Sequence, residues 1–450
     1  MLILTKLKRE LSYLINKISN NQGVHRYGIS TIWMLFEKIL RIFLGIYVGI
    51  FVAKHLGPNG FGILNYSQSF VAILSIFSTL GMDGIVVKRL VLDRIRKGEI
   101  LGTVIFIKLI GGFISILIMT IILLSINISE LKTLTIIIIG ISLIFQSLNA
   151  FELELQATVS GEKSSKINII VLILSSSIKI ILIELNASVI YFALGLMLDS
   201  LFLAIGYYIY FIKFYSKIQK IKLKVNLNTG IEIIKESFPL MLASLSFIIF
   251  VNIDNIMINN LLDVYSVGIY SAAYKLATLW YFLPGLILNS LFPMLINSFK
   301  NQDIFNERVR YIGSFLIWSA ILIASLSVLF GDYIFQITYG EKFEEAKKIF
   351  NILVWTNIFI FFNSLWNQIM VIKKKTKVTL FFHMIMALLT INFNYFFIKY
   401  YGVIGSSYAL LLSLILSYVF IGIFNKEMIF IFIDSLLFGI NKSKKCKNEK

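Results

Sequence analysis

The sequence is poor in cysteine, proline, histidine and charge. Of its 450 residues, one is cysteine, four are proline, three are histidine and 15% are charged. The single cysteine, Cys446, cannot form a disulfide within the chain, and the three scattered histidines do not form a metal-ligand set. The small number of prolines is typical of a largely helical chain.

Motifs of catalysis are also missing. The sequence contains no phosphate-binding glycine-rich loop followed by Lys-Ser/Thr, no Ser-His-Asp signature and no aspartate cluster for a metal. We therefore predict no catalytic residue, no cofactor and no metal, and we interpret the chain as a transporter and not as an enzyme. We do not interpret the net charge of +18 as a sign of nucleic-acid binding, because the charged residues are distributed according to the hydrophobic blocks.

Hydrophobic residues make up 58% of the chain and are grouped in blocks. Each block has roughly the 20 residues that a helix needs to cross a hydrocarbon core of about 30 Å. The pattern predicts an all-α polytopic membrane protein with 12 transmembrane helices. We place the spans at residues 29–54, 60–82, 100–125, 132–155, 166–184, 188–212, 238–261, 266–298, 309–331, 349–372, 378–399 and 403–425.

Basic residues support this topology. With the N-terminus inside, the cytoplasmic segments hold 31 Lys and Arg residues and the opposite segments hold 6. Such an excess is the signal for cytoplasmic loops, so we expect both termini in the cytoplasm. The domain boundaries predicted from this map are a cytoplasmic amphipathic segment (1–28), an N-lobe of spans 1–6 (29–212), a Lys-rich cytoplasmic connector (213–237), a C-lobe of spans 7–12 (238–425) and a cytoplasmic basic tail (426–450).

A weak internal repeat relates the two halves. At an offset of 206 residues, Leu56, Gly62 and Ile63 match Leu262, Gly268 and Ile269, between the first two spans of each half. Six helices per half make the repeat parallel, so we predict two pseudo-symmetric six-helix lobes with a substrate path between them. Coincidence in an apolar sequence is the alternative.

Span 1 carries Glu37, Lys38 and Arg41. Charge within a bilayer is expensive, so such residues are candidates for function. Arg41 would lie near the midplane, and Glu37 is four residues away on the same helix face. Gly45 and Gly49 continue that face and predict close approach of another helix. The alternative is an ion pair that only holds span 1 to a neighbour.

Four more charged residues lie within spans. Lys275 in span 8 and Lys179 in span 5 are candidate substrate-binding cations, although either ammonium group could reach the membrane surface on its long side chain. Asp254 in span 7 and Asp199 in span 6 are candidates, with Glu37, for coupling transport to an ion. Buried carboxylates that only hold helices together are the alternative.

Span 8 is too long for the membrane. Its 33 residues would extend about 50 Å as a straight helix. Pro284, Gly285 and Pro293 are therefore hinge candidates, and a simple tilt is the alternative.

Four stretches of the chain resemble the oligosaccharide-lipid flippases of the multidrug/oligosaccharidyl-lipid/polysaccharide exporter superfamily, which export O-antigen and capsule repeat units. They are His55–Gly62, Leu80–Gly84 with Val87–Arg89, Asp254 and Met257 with Val267–Leu276 and Leu291–Pro293, and Tyr339–Gly340 with Phe343, Ala346 and Trp355.

The resemblance implies a V-shaped pair of lobes with a cationic cavity between them. The implied substrate is a short glycan on undecaprenyl pyrophosphate, moved from the inner to the outer leaflet of the bacterial cytoplasmic membrane during lipopolysaccharide or capsule synthesis. By position, Arg41 and Lys275 are the matching basic residues and Asp254 the matching acid. H⁺ or Na⁺, a polysaccharide polymerase and a chain-length regulator are the further partners that we consider; no nucleic acid is expected.

Three other functions remain open at this stage. A drug or cation antiporter of the same superfamily would favour a cavity rich in acids and aromatics. A membrane enzyme of polysaccharide assembly would need larger loops than this chain has. A peptidoglycan-precursor flippase is expected to have two further helices, for which the chain is too short.

Overall fold

The computed structural model describes residues 22–216, 222–424 and 426–448, and all of the regular structure within them is helical. The N-lobe consists of α1 (Gln22–Thr79, spans 1 and 2), α2 (Asp83–Leu92), α3 (Lys97–Ser125, span 3), α4 and α5 (Glu130–Phe145 and Ala150–Ala157, span 4, joined by a 3₁₀ turn at Gln146–Asn149), α6 (Gly161–Glu184, span 5) and α7 (Val189–Tyr210, span 6), followed by a π-helical turn at Phe211–Ser216.

The C-lobe repeats this order. It consists of α8 (Leu227–Leu261, span 7), α9 and α10 (Val264–Ala277 and Phe282–Ser298, span 8, joined by a 3₁₀ turn at Thr278–Tyr281), α11 (Gln302–Leu329, span 9), α12 (Gly331–Thr338), a 3₁₀ turn (Glu341–Phe343), α13 and α14 (Ala346–Leu353 and Thr356–Ile372, span 10), α15 (Thr376–Tyr401, span 11), α16 (Val403–Phe424, span 12) and α17 (Lys426–Asn448).

Eleven helical stretches of the described chain are long and apolar enough to cross a membrane. The first of them, Ser30–Leu92, contains two crossings, because Gly57 breaks the helix. Its φ of 63° lies in the left-handed region, which glycine adopts without the steric cost that a Cβ would bring. The chain is therefore a multi-pass membrane protein with 12 spans, as the hydrophobic blocks predict.

The predicted spans agree with the helices to within five residues, except where the helices of spans 1 and 9 begin, seven residues early at Gln22 and Gln302, and at the start of span 7. That helix begins at Leu227, eleven residues before the predicted start, so the end of the connector is already helical. The Asn226 side chain caps it by accepting hydrogen bonds from the amides of Asn228 and Thr229 at 3.0 and 3.4 Å. The predicted amphipathic segment falls mostly on residues 1–21, which lie outside the described residues.

The two lobes meet at a pair of repeat-related glycines. A Cβ on Gly62, at the start of span 2, would overlap the carbonyl oxygen of Val264, and a Cβ on Gly268 would overlap the carbonyl oxygen of Pro58. The two glycines are 206 residues apart, and so are Pro58 and Val264, whose carbonyl groups they face. This is the offset of the internal repeat. The contact is thus reciprocal about a pseudo-two-fold axis, as expected of two lobes that are parallel repeats.

A second contact between the lobes lies at the cytoplasmic end predicted by the topology. Arg89 of α2 pairs with Glu232 and Glu236 of span 7 at 3.1 and 3.0 Å, and Lys88 pairs with Glu236 at 2.8 Å. This contact joins α2, which follows span 2, to span 7, whereas the glycine contact joins the starts of spans 2 and 8.

Part of the predicted basic tail packs on the C-lobe. Within α17, Met428 and Ser435 are fully buried, and Asp434 pairs with Arg310 of span 9 at 2.5 Å. Glu427 pairs with Lys373 at the end of span 10. The tail is thus helical, and its first part is a packed element of this lobe.

Candidate functional site

Two adjoining cavities lie where span 1 faces its neighbours; we call them together the chamber. The first has a volume of about 240 Å³ and lies between spans 1, 2, 5 and 6, with Lys275 entering from span 8. The second has a volume of about 340 Å³ and lies between span 1 of the N-lobe and span 8 of the C-lobe. Arg41, Gly45, Gly49 and Lys275 line both cavities.

Arg41 is held on span 1 by its neighbour Glu37. The guanidinium contacts the carboxylate at 2.6 Å, as the i,i+4 spacing predicts. The Arg41 side chain is 49% exposed, whereas that of Glu37 is 13% exposed. The pair therefore leaves part of the guanidinium free to contact a ligand in the chamber.

Lys275 enters the chamber from the opposite lobe. Its ammonium group lies 4.4 Å from the centroid of the Phe61 ring in span 2. Among the described residues it has no carboxylate partner within ion-pair distance. The aromatic face stabilises the cation without neutralising it, so Lys275 brings a net positive charge to the junction of the cavities.

Lys179 and Asp199 form the third charged group of the chamber. The ammonium of Lys179 lies 2.7 Å from the Asp199 carboxylate and also donates to Ser175 at 3.1 Å. Both side chains line the first cavity. The sequence predicted that Lys179 binds substrate and that Asp199 couples transport to an ion. In the structure the two side chains form an ion pair, and their charges offset each other.

The glycines of span 1 do not have the predicted role. We expected Gly45 and Gly49 to allow close packing of a helix, but no atom outside their own helix neighbourhood lies within 4 Å of a Cβ built at either position. Both instead border the chamber. The prediction of close packing was wrong, since a missing side chain can open space as well as admit a neighbouring backbone.

Four polar residues of the first cavity escaped the sequence analysis. They are Gln68 of span 2 and Asn168, Ser175 and Ser176 of span 5. A signal for Asn168 was present, because Asn168, Ser175 and Lys179 follow each other at spacings of seven and four, which is one face of a helix. No comparable pattern marks Gln68.

Lys38 and Asp254 lie elsewhere. Lys38 is exposed and lines neither cavity. Asp254 is buried within the C-lobe, where its carboxylate accepts hydrogen bonds from Tyr270 of span 8 at 2.5 Å and from Asn394 of span 11 at 2.6 Å. Ser406 donates to Asn394 at 2.8 Å, so this network joins spans 7, 8, 11 and 12.

The interruption of span 8 lies immediately before the predicted hinge. The 3₁₀ turn at Thr278–Tyr281 separates the two helices, and Pro284 and Gly285 fall in the first turn of the second helix. Proline is tolerated there because the first amides of a helix have no partner within it. Pro293 lies within the second helix. Thr278 and Leu279 line the second cavity, which places the interruption beside the chamber.

Comparison with solved structures shows the fold. The lipid II flippase MurJ in an inward closed conformation aligns with a TM-score of 0.71 and 16% identity, covering 92% of this chain and 93% of that one. An inward-facing multidrug resistance MATE family transporter of the MOP superfamily aligns with a TM-score of 0.63 and 16% identity, covering 88% and 99%. Because most of the MurJ chain is covered, length does not separate this protein from such flippases, contrary to our expectation.

A third solved structure has a similar fold. A MOP superfamily transporter from Pyrococcus furiosus, described as having a binding pocket of reverse polarity, aligns with a TM-score of 0.57 and 13% identity, covering 91% of this chain and 94% of that one. No curated protein sequence matches the chain.

Family profiles match both halves. The profile described as MatE matches residues 239–396, and the profile described as polysaccharide biosynthesis protein matches residues 28–299, more than half of the chain. The resemblance found in the sequence is thereby confirmed. The chain belongs to the polysaccharide biosynthesis protein family.

Proposed function

We propose that the protein moves an oligosaccharide repeat unit, linked to undecaprenyl pyrophosphate, from the inner to the outer leaflet of the bacterial cytoplasmic membrane. The observation that carries the proposal is the junction of the two cavities, where Arg41 of one lobe and Lys275 of the other face a common space. Family membership in polysaccharide biosynthesis supports the same cargo. In this proposal the protein is a transporter without catalytic activity, and both termini are cytoplasmic.

The chemistry of the cargo explains the charges. A pyrophosphate group in a hydrocarbon core loses its hydration, which makes unaided passage very slow. Guanidinium and ammonium groups replace that hydration with charge-assisted hydrogen bonds. Since Arg41 and Lys275 come from different lobes, movement of one lobe against the other would expose the bound head group to each side in turn.

The cavity is less suited to a cationic drug. Its charged lining consists of Arg41, Lys179, Lys275 and Asp199, and the only acid among them is engaged by Lys179. A cation would meet an excess of positive charge. We therefore favour an anionic cargo over the drug antiporter suggested by the MatE match.

The test is removal of each cation at the junction. We expect Arg41→Ala and Lys275→Ala each to lower surface glycan at least tenfold, on the order of the loss of one charge-assisted hydrogen bond in a buried site. Glycan would be measured on the cell surface, with membrane abundance of each variant measured in parallel. Arg96→Ala is the matched control, because Arg96 pairs with Asp93 in an exposed loop outside the chamber.

Wild-type glycan display in both variants, at equal membrane abundance, would contradict the proposal. Loss of ethidium or other cationic drug efflux, with intact glycan, would favour the antiporter instead.

A further inference from the structure

We propose that the chamber wall formed by spans 2, 5 and 6 is a binding subsite for an uncharged sugar of the cargo. This inference rests on the proposed function and adds to it which part of the cargo lies where. The subsite consists of Gln68, Asn168, Ser176 and the Lys179–Asp199 pair, all lining the first cavity.

Several polar groups of this wall lack a partner in the protein. Within the part of the chain that the structure describes, the side chains of Gln68 and Ser176 make no hydrogen bond, and the side chain of Asn168 only accepts one, from Tyr207 at 2.8 Å. Polar groups inside a membrane protein are costly unless they are paired. Amide and hydroxyl groups that face a cavity and have no partner in the protein are suited to a ligand that donates and accepts hydrogen bonds along its length. The hydroxyl and acetamido groups of a sugar meet that need.

The charge of the wall selects among sugars. Lys179 lies 2.7 Å from Asp199, so the formal charge of the pair is zero. A carboxylated sugar would have to displace Asp199 from Lys179 and would leave that acid without its partner, at a cost in desolvation. An uncharged sugar can instead hydrogen-bond to the intact pair. The wall therefore favours a neutral or N-acetylated sugar.

The order of surfaces along the chamber matches the order of groups in the cargo. The first cavity carries the polar wall, and Arg41 and Lys275 stand at the junction. The further lining of the second cavity is mostly apolar, with Ile42, Ile46, Leu276, Leu279 and Phe282 beside Thr278 and Tyr339. The sugar would lie at the polar wall, the pyrophosphate at the junction and the polyprenyl chain in the second cavity. Each group would then contact side chains that suit its chemistry.

Binding of separate probes distinguishes the subsite from the junction. The purified full-length protein in detergent would be titrated by calorimetry with N,N′-diacetylchitobiose, which is uncharged, with digalacturonate, which is acidic, and with inorganic pyrophosphate. We expect Gln68→Ala with Asn168→Ala to raise the Kd of diacetylchitobiose about tenfold, the effect of losing one or two hydrogen bonds, and to leave that of pyrophosphate unchanged. Arg41→Ala with Lys275→Ala should do the reverse. Lys166→Ala, at an exposed pair on the same helix as Asn168, is the control.

A gain of binding provides a second test that misfolding cannot imitate. Asp199→Asn keeps the shape of the side chain but leaves Lys179 without a counter-charge. We expect this variant to bind digalacturonate about tenfold more tightly than the wild type does, as one charge-assisted hydrogen bond would provide. The double variant Lys179→Ala/Asp199→Ala should show no such gain.

The outcomes separate the two proposals. If pyrophosphate binding needs Arg41 and Lys275, but diacetylchitobiose fails to bind or binds equally to the Gln68/Asn168 variant, the subsite is overturned and the proposed function stands. Tighter binding of digalacturonate than of diacetylchitobiose to the wild type would overturn the preference for uncharged sugars. If pyrophosphate binding is the same in all variants, the proposed function itself fails.

Discussion

At the scale of single residues, the chamber shows how a membrane protein keeps cations available. Arg41 and Lys179 each have an acidic partner that lowers the cost of a charge within a membrane span, whereas Lys275 has the ring of Phe61. The aromatic contact compensates part of the lost hydration but leaves the charge unneutralised. Lys275 is thus the group best placed to meet an incoming anion.

Asp254 illustrates the opposite use of a charged residue. Its carboxylate lies outside the chamber and accepts hydrogen bonds from Tyr270 and Asn394. Asp254→Ala leaves the buried Tyr270 hydroxyl without its acceptor, while Asn394 keeps only its bond to the Thr390 carbonyl, so we expect a loss of stability of about 1–3 kcal/mol. Thermal unfolding in detergent would measure it, with Asp303→Ala, at an exposed position, as the control. An unchanged unfolding temperature would show that the network is not structural.

The predicted coupling role has a separate test. A change in the pH or ion dependence of transport by Asp254→Asn would support it.

At the scale of helices, the contact of the two lobes depends on glycine. Gly62 and Gly268 each face a backbone carbonyl of the other lobe so closely that a methyl group does not fit. We expect Gly62→Ala and Gly268→Ala each to destabilise this arrangement by about 1–3 kcal/mol, the usual effect of overpacking. The unfolding temperature should fall in both variants. Gly45→Ala is the matched control, because its methyl group would enter open space, and an equal loss in all three would contradict the interpretation.

The positions of the helices were predictable from the sequence, whereas the contacts made by each helix face were only partly predictable. The pairing of Glu37 with Arg41 follows from their spacing on one helix, and the structure confirms it. Gly45 and Gly49 show the limit, since the same spacing permits either close packing or an open wall. A pattern within one helix does not specify which neighbour its face meets.

At the scale of the whole molecule, the proposed transport would require the lobes to separate on one side at a time. Lys88 and Arg89 of α2 hold Glu232 and Glu236 of span 7. Exposed ion pairs are individually weak, about 0–1 kcal/mol, so this cluster can open without a large barrier. The reciprocal glycine contact joins a different pair of helices, spans 2 and 8.

A covalent tether at the ion-pair cluster tests that movement. In a Cys446→Ser background, Lys88→Cys with Glu236→Cys would be joined by a short bismaleimide, since the two native side chains lie within 2.8 Å of each other. We expect the tether to stop glycan export in vesicles, while the same cysteines without the reagent retain it. Cysteines at Glu162 and Lys166, four residues apart on one helix, control for modification alone. Full transport by the tethered protein would show that spans 2 and 7 need not separate.

The number of spans and their order follow from the sequence by itself, because the transfer of apolar blocks into lipid depends on composition alone. The basic loops predict the orientation of the spans. The tertiary structure decided which charged residues meet. Lys275 and Arg41 line the same cavities, and Gln68 and Asn168 lie on one wall of the first. Asp254 lines neither cavity and is hydrogen-bonded within the C-lobe. Lipid and the protein interior are similarly apolar, so hydrophobicity does not determine how each helix is rotated; only packing between helices does.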